Sequence, residues 1–304
     1  MDNHLAVAIH APCTQLGVAP CRSVDLQAGR NLAVPIVGQD AAEVRSQWQA
    51  AALAGADLVE WRLDFFVEDS AQIESLGQEL RHRYELPVLA TWRSDREGGN
   101  LLTGLGSSPA ELFAGAEGYA ERVLAAARWA DAVDVELGLA EAWPGGDLIA
   151  AVHGTAELPL ECKRESLPEP ERKSSVKDNR GDSLERVQTL LHPLVVVSHH
   201  EFNVPPVGAA QLITVLQKMA QTDADVLKIA WMVNTQEELH YVLEAQAWAR
   251  KNLPHPCVLI AMGEVGAASR LGETGTASAF TFAVATDASA PGQKTVAEVK
   301  ASWI

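Results

Sequence analysis

In the segment Leu58-Val59-Glu60-Trp61-Arg62-Leu63-Asp64, charged side chains alternate with apolar ones. This period of two is typical of a β-strand with two different faces. The preceding segment has the ends of a helix: Asp40 and Glu43 have the spacing of an N-terminal capping pair, and Gly55 suits a helix C-terminus. The sequence therefore predicts a helix that leads directly into a strand.

The same alternation of helix and strand continues along the chain. Thr235 with Glu238 and Thr295 with Glu298 repeat the capping spacing. Strands separated by helices are typical of a parallel α/β fold, and eight strands fit a (β/α)8 TIM barrel. An open doubly wound sheet is the alternative, but the chain has no GxGxxG or GxxxxGK phosphate loop. The eight predicted strands are Leu32 to Gly38, Leu58 to Asp64, Pro87 to Arg93, Ala132 to Leu137, Leu194 to His199, Val226 to Met232, Cys257 to Met262 and Phe280 to Ala285.

Two segments fall outside this pattern. Residues 1–31 are predicted to form an N-terminal extension, with Val24–Leu26 and Leu32–Ile36 as a candidate hairpin across the barrel bottom. Residues 32–304 are predicted to form a single catalytic barrel domain. Within it, the stretch from about 154 to 182 is rich in charge and proline, which disfavours burial and indicates a surface insertion between strands four and five.

Composition restricts the partners of the chain. A formal net charge of -16 argues against nucleic acid or an anionic membrane surface as a partner. The sequence has no apolar stretch of about 18 residues and no basic region typical of a signal peptide at its start, so a cytoplasmic protein is expected. The four cysteines form no CxxC pair, and neither a zinc site nor a disulfide framework is predicted.

Lys228 lies within the apolar run Asp225-Val226-Leu227-Lys228-Ile229-Ala230. Burial disfavours the ammonium form of a lysine, and a neutral amine can attack a carbonyl group to form an imine. The alternative is a lysine whose aliphatic stem carries the charge to the end of the strand.

Strand parity brings more polar residues to the face that carries Lys228. Most of them lie near the carboxyl ends of their strands, where barrel enzymes place their active sites. Buried charges are costly unless they are paired, so the cluster is either an active site or an ionic layer that closes the barrel. The predicted inward residues are Glu60, Arg62, Asp64, Thr91, Arg93, Asp134, Glu136, Ser198, His200 and Lys228.

His200 and Glu97 are candidates for proton transfer. A histidine has a pKa suited to a general base, and it needs a partner to fix its tautomer. Glu97 follows strand three and is a candidate for that partner, although an exposed loop acid is equally consistent with its position. The neighbouring His199 has the opposite parity and is predicted to be structural.

Two later loops reach the same end of the barrel. Arg270 follows strand seven, and its guanidinium could bind a carboxylate with two parallel hydrogen bonds. Ser289-Ala290-Pro291-Gly292-Gln293 follows strand eight and could act as a lid.

Taken together, the motifs resemble those of type I 3-dehydroquinate dehydratases, from about Val34 to the C-terminus. Each motif alone is modest, but their number and order are specific. The resembling segments are Ala56 to Asp64, Thr91 to Ser94 with Glu97 to Gly99, Asp134 to Glu136, Ser198 to Phe202, Lys228 to Ala230, Met262 to Gly263 with Gly266 and Ser269 to Arg270, and Ser289 to Gln293.

The resemblance implies a role for each matching residue. Lys228 matches the imine-forming lysine, His200 the proton-transfer histidine and Glu97 the acid that orients it. Arg270 matches the carboxylate clamp. The positions that hold ring hydroxyls or cover the substrate are matched by Glu60, Arg62, Arg93, Ser289 and Gln293.

The resemblance also implies the reaction, which is dehydration of 3-dehydroquinate to 3-dehydroshikimate in the shikimate pathway of aromatic amino acid synthesis. It implies a homodimeric (β/α)8 barrel that needs no metal and no organic cofactor.

Three segments depart from the family pattern. Asn203-Val204-Pro205-Pro206 stands where a Thr-Pro turn is usual, Trp231 where a smaller residue is usual, and Thr276-Ala277-Ser278 where Phe-Gly-Ser is usual. A class I aldolase, which also uses a lysine imine, is the nearest alternative enzyme. A non-catalytic binding protein of the same fold is the other alternative, but it should have lost the lysine or the histidine.

Overall fold

The computed structural model describes residues 8–10, 23–67, 69–101, 109–155, 193–272, 275, 277–285 and 294–303. Eight parallel strands form one sheet. They are β3 (Leu32–Ile36), β4 (Leu58–Arg62), β5 (Val88–Thr91), β6 (Ala132–Glu136), β7 (Leu194–Glu201), β8 (Val226–Met232), β9 (Cys257–Met262) and β10 (Thr281–Phe282). Their order in the sheet is β10-β3-β4-β5-β6-β7-β8-β9.

The sheet curls into a nearly closed barrel. At the seam between β9 and β10, the backbone N–H of Ala279 donates to the carbonyl oxygen of Cys257 at 2.8 Å. The predicted (β/α)8 TIM barrel is confirmed. The helices that follow the strands are α1 (Ala41–Ala54), α2 (Ser70–Tyr84), α3 (Pro109–Ala127), α4 (Leu137–Ala142), α5 (Leu148–His153), α6 (Ala209–Met219), α7 (Gln236–Asn252) and α8 (Val296–Ser302).

The predicted helix ends are present. The Asp40 side chain accepts hydrogen bonds from two backbone N–H groups at the start of α1, and Gly55 ends this helix with a φ of 80°. Full capping boxes begin α7 at Thr235 and α8 at Thr295. These local signals set where each helix stops and the next strand begins.

The N-terminal hairpin has a different partner from the one predicted. Strand β2 (Ser23–Asp25) pairs antiparallel with β1 (Ala8–His10). The predicted pairing of Val24–Leu26 with Leu32–Ile36 was wrong, because both edges of Leu32–Ile36 are already used by β4 and β10 in the barrel. Val24 and Leu26 are nonetheless buried, and they pack on the apolar side chains at the amino ends of the barrel strands.

An aspartate precedes three of the eight barrel strands and fixes the register of the strand before each of them. The sequence Ala-Asp occurs directly before β4, β6 and β8, and each aspartate accepts a backbone N–H at the start of the preceding strand. The donors are Leu32 N to Asp57 at 2.9 Å, Val88 N to Asp131 at 2.9 Å and Val195 N to Asp225 at 2.8 Å. Fixed register keeps the inward side chains of neighbouring strands at matching heights.

The packing separates an apolar lower barrel from a polar upper end. Side chains that face the helices form the large outer core, in which Trp61 contacts Trp48 and Trp129 edge to face. Inside the barrel, small and branched apolar residues fill the amino-terminal half. Buried charged side chains concentrate toward the carboxyl ends of the strands.

The predicted insertion at about 154–182 lies almost wholly outside the described residues, so the domain boundaries stay a prediction. Among the described helices, none has the length and apolar character needed to cross a membrane.

Candidate active site

Lys228 points into the barrel from the middle of β8. Only 2% of the residue is exposed, which excludes the alternative of a stem that carries its charge to solvent. Its Nζ donates to Glu60 Oε1 at 2.9 Å and to Asp134 Oδ2 at 3.1 Å. The amine also lies 5.1 Å from the centre of the Phe282 ring. The sequence predicted the burial of this lysine, and the structure adds its two carboxylate partners.

Arg93 links the acidic residues of the site. Its Nη1 donates to Glu136 Oε1 and to Ser198 Oγ, both at 3.0 Å, and lies 3.3 Å from Glu97 Oε2. Its Nη2 forms an ion pair with Asp134 Oδ1 at 2.7 Å. Burial by itself would lower the pKa of Arg93. The surrounding carboxylates, of which Asp134 contributes most, outweigh burial and raise this pKa well above the ordinary value. The guanidinium is therefore a permanent positive charge at the centre of this cluster.

Two of the acids that surround Arg93 differ in their electrostatics. For Asp134, burial is outweighed by the charges of Arg93 and Lys228, and its pKa is lowered. For Glu136, burial prevails and the pKa is raised. Asp134 is thus the acid that remains ionised most readily, and it is also the one that contacts both cations.

Tyr119, on α3, replaces a missing strand contact beside these acids. The pairing of β5 with β6 ends at Ala90 and Val133, so the last residues of β6 have no strand partner on that side. The backbone N–H of Glu136 donates instead to the Tyr119 hydroxyl at 2.8 Å, and this hydroxyl donates to the Asp134 carbonyl at 3.3 Å. The sequence analysis did not identify Tyr119, because a tyrosine on the apolar face of a helix is typical of a core residue.

His200 lies beside Lys228 on the neighbouring strand. Ser198 pairs with Lys228 and His200 with Ala230, so His200 faces the same interior one layer higher. Its Nδ1 lies 2.8 Å from Glu97 Oε2, and its backbone N–H donates to the same oxygen at 3.1 Å. The expected contact between this histidine and Glu97 is therefore present.

Burial disfavours charge on both members of this pair. It lowers the pKa of His200 well below the ordinary value, and the positive charges of Arg93 and Lys228 act in the same direction. It also raises the pKa of Glu97, with a further contribution from Glu136. An ionised Glu97 accepts the proton on Nδ1, which leaves Nε2 as the unprotonated, basic nitrogen.

Two glycines allow Glu97 to reach this position. Gly98 has a φ of 78°, and a Cβ there would lie 2.6 Å from the Phe202 ring. At Gly99 a Cβ would lie 2.1 Å from the Arg93 carbonyl oxygen. The turn after β5 is thus packed tightly against both β5 and the loop after β7, which explains why glycines follow Glu97.

Arg62 lies at the mouth of the barrel, where its side chain is 20% exposed. Its Nε and Nη2 donate to the two carboxylate oxygens of Asp64, each at 2.8 Å. Asp64 also accepts the backbone N–H of Asn100 at 3.0 Å. This bidentate pair holds the guanidinium in a defined orientation at the rim.

Arg270 ends the short helical turn Val265–Arg270, which follows β9 at the same end of the barrel. Burial lowers its pKa. Ser289 and Gln293 lie outside the described residues, so their predicted place over the substrate stays a prediction.

Two of the departures from the family pattern contact each other. The Trp231 side chain, on β8, donates its indole N–H to the carbonyl oxygen of Val204 at 2.7 Å. Trp231 is 3% exposed, and its ring meets that of His199 edge to face at 5.7 Å between centres. The larger residue at 231 therefore holds the altered Asn203–Pro206 loop in place.

Within the residues that the structure describes, no group of three or more histidine, cysteine, aspartate or glutamate side chains is arranged to hold a metal ion. The buried polar cluster is accounted for by ion pairs and hydrogen bonds among its own members.

Comparison with known proteins places the chain in one family. The family model of type I 3-dehydroquinase matches residues 32–155 and 175–302. The chain belongs to the type I 3-dehydroquinase family. Its members are hydro-lyases, so the chain is an enzyme of that class, and the family match favours the dehydratase over the class I aldolase alternative.

Individual type I 3-dehydroquinases are similar over nearly the whole chain. The 3-dehydroquinate dehydratase of Lactiplantibacillus plantarum is 31% identical over 277 residues, which cover 90% of this chain and 91% of that protein. The Geobacillus kaustophilus enzyme, known from a crystal structure, is 28% identical in sequence and superposes with a TM-score of 0.62. The match covers 90% of this chain and 89% of that one. The type I enzyme of Clostridium difficile is 25% identical, with a TM-score of 0.66 and coverage of 93% and 95%.

Proposed function

We propose that this enzyme converts 3-dehydroquinate to 3-dehydroshikimate through an imine on Lys228, with His200 as general acid and base. The observation that carries the proposal is that the buried Lys228 amine and the His200 imidazole, whose side chain is 10% exposed, lie on neighbouring strands and face one interior. The solved Clostridium difficile relative contains covalently modified comenic acid, which supports covalent chemistry on this barrel.

The reaction begins when Lys228 Nζ passes one proton to Glu60 Oε1, 2.9 Å away, and the neutral amine attacks the ring ketone. Glu60 then returns this proton to the former ketone oxygen. Loss of the former ketone oxygen as water gives a protonated imine, which withdraws electrons from the adjacent C–H bond. His200 Nε2 removes that proton, and the resulting enamine expels the tertiary hydroxyl group. His200 returns the proton to this hydroxyl, which leaves as water. A second water then hydrolyses the imine, so the balance over one turnover is the release of one water.

The carboxylates around Lys228 stabilise the positively charged imine intermediate. Glu60 and Asp134 contact the nitrogen that becomes the iminium ion, so the positive charge forms between two anionic groups already in place. Arg93 keeps Asp134 ionised and fixes its orientation. The polar network thus stabilises positive charge at the nitrogen where the imine forms, without reorganisation during the reaction.

The remaining residues bind the substrate. We propose that Arg270 clamps the carboxylate, that Glu60 and Arg62 hold ring hydroxyls, and that Ser289 and Gln293 cover the bound ring. Arg93 is proposed to contact a hydroxyl as well, although its guanidinium has to exchange one of its existing partners to do so. We also propose, from the family resemblance, that the enzyme is a cytoplasmic homodimer of the shikimate pathway.

Borohydride trapping tests the imine directly. Incubation with 3-dehydroquinate and sodium borohydride is expected to modify Lys228 with the mass of the bound ligand, less one water and plus two hydrogens. Peptide mapping by mass spectrometry locates the adduct. Lys218 is an exposed lysine on α6, paired with Glu141, and should stay unmodified. Absence of an adduct, or an adduct on another lysine alone, contradicts the proposal.

Glu97→Gln tests the orientation of His200. The neutral amide can present either its oxygen or its nitrogen to Nδ1, so the tautomer with a basic Nε2 is no longer enforced. We expect kcat to fall by about 10- to 100-fold, less than on loss of His200 itself, while the borohydride adduct on Lys228 still forms. Glu141→Gln, at an exposed site, is the matched control. A variant with unchanged kcat contradicts the role of Glu97.

A further inference from the structure

The two carboxylate oxygens of Glu97 have unequal surroundings. Oε2 receives His200 Nδ1 at 2.8 Å, the His200 backbone N–H at 3.1 Å and Arg93 Nη1 at 3.3 Å. Oε1 faces a second imidazole, with Nδ1 of His199 at 3.8 Å. Adjacent residues of β7 thus present both of their rings to one carboxylate, although their parities differ.

The His199 ring is held in place and partly open to solvent. Its side chain is 29% exposed, against 10% for His200 and 11% for Glu97. The Trp231 ring contacts it edge to face, and the hydrogen bond from Trp231 to Val204 fixes that indole. His199 is therefore a fixed titratable group between solvent and the buried pair.

We propose that His199 is a positioning residue that keeps Glu97 ionised and thereby extends the activity of His200 toward acidic pH. The proposal rests on the proposed function, because it assumes that His200 is the catalytic base. A protonated His199 forms an ion pair with Oε1, which favours the carboxylate. The carboxylate in turn requires the proton of His200 on Nδ1 and leaves Nε2 basic.

The charges around the three groups give the sign of the effect. Burial lowers the pKa of His199, and the positive charge of Lys218 on α6 lowers it further. The negative charge of Glu201, on the same strand, acts in the opposite direction. Glu97 is flanked by Arg93, and its pKa is raised by burial and by Glu136 and Asp134. A positive charge on His199 also lowers the pKa of His200. A charged His199 therefore opposes proton uptake by both Glu97 and His200. Loss of His199 should move the acid limb of the pH profile, where kcat falls as pH decreases, to higher pH.

Two variants separate charge from shape. His199→Phe keeps a ring against Trp231 but has no nitrogen, whereas His199→Gln keeps a hydrogen-bond donor but cannot titrate. The pH profile of kcat is measured with 3-dehydroquinate. We expect both variants to shift the acid limb upward by about 0.3 to 0.7 pH unit, with KM and the alkaline limb unchanged. We expect the plateau value of kcat to be retained by glutamine and lowered a few-fold by phenylalanine.

Controls distinguish this inference from the function on which it rests. His240→Gln removes an exposed imidazole on α7 and should leave the profile unchanged. Borohydride trapping on Lys228 is repeated in the wild type and in both His199 variants, and thermal unfolding verifies that each folds. If the adduct forms but neither variant moves the acid limb, the role of His199 is refuted. If the wild type gives no adduct, the proposed function itself fails.

Discussion

Lys228→Met is expected to abolish both imine formation and turnover, with kcat lower by about 10⁴-fold or more, or about 5.5 kcal/mol in the activation barrier. Methionine has a similar length and no nucleophile, so the ketone stays a ketone and the adjacent C–H bond keeps its low acidity. Steady-state kinetics measures the loss of activity, and borohydride trapping followed by mass spectrometry measures the loss of the adduct.

The same substitution removes the partner of two buried carboxylates. Glu60 and Asp134 lose a cation, and breaking such a buried pair typically costs about 3 to 5 kcal/mol of stability. Lys228→Arg keeps the charge and lacks a nucleophilic amine, so it tests catalysis in a protein that is less destabilised. Lys218→Met, at an exposed position on α6, should keep full activity. A folded Lys228→Met protein with more than a few per cent of wild-type turnover contradicts the mechanism.

Strand parity accounts for most of what the sequence could predict. In β4, β6 and β8 the inward positions follow from a period of two, and the structure places Glu60, Asp134 and Lys228 on one interior. This prediction needs only local information, because alternation is a property of a single strand. It could not predict that these three side chains contact one another, since that depends on strand register and barrel closure.

Contacts between distant elements were beyond sequence reasoning. Tyr119 occupies a helix position that is typical of a core residue. Its hydroxyl accepts the backbone N–H of Glu136, which has no strand partner because the pairing of β5 with β6 has already ended. His199 was predicted to be structural from its parity, yet its Nδ1 lies 3.8 Å from Glu97 Oε1, and Trp231 on β8 contacts its ring. The hairpin partner was wrong because Leu32–Ile36 suits a hairpin and a barrel strand equally well in local terms.

His200→Ala is expected to keep imine formation and to lower kcat by about 10² to 10⁴-fold. The imidazole, held by Glu97 through its Nδ1 at 2.8 Å, is proposed to take a proton from carbon and to deliver it to the leaving hydroxyl, and alanine has no group that can do either. Trapping should therefore still modify Lys228, with the unreacted substrate as the captured ligand. Single-turnover kinetics separates the two steps.

The pH profile gives a second readout for the same variant. In the wild type, kcat should fall as pH decreases through the lowered pKa of His200, because the protonated ring can no longer act as a base. In His200→Ala this limb should disappear from the residual rate. His200→Asn retains a donor for Glu97 and most of the buried volume, so it separates lost chemistry from lost packing, and it should be as slow as the alanine variant. His240→Ala is the matched control at an exposed site. A His200→Ala enzyme near the wild-type rate would show that another group moves the proton.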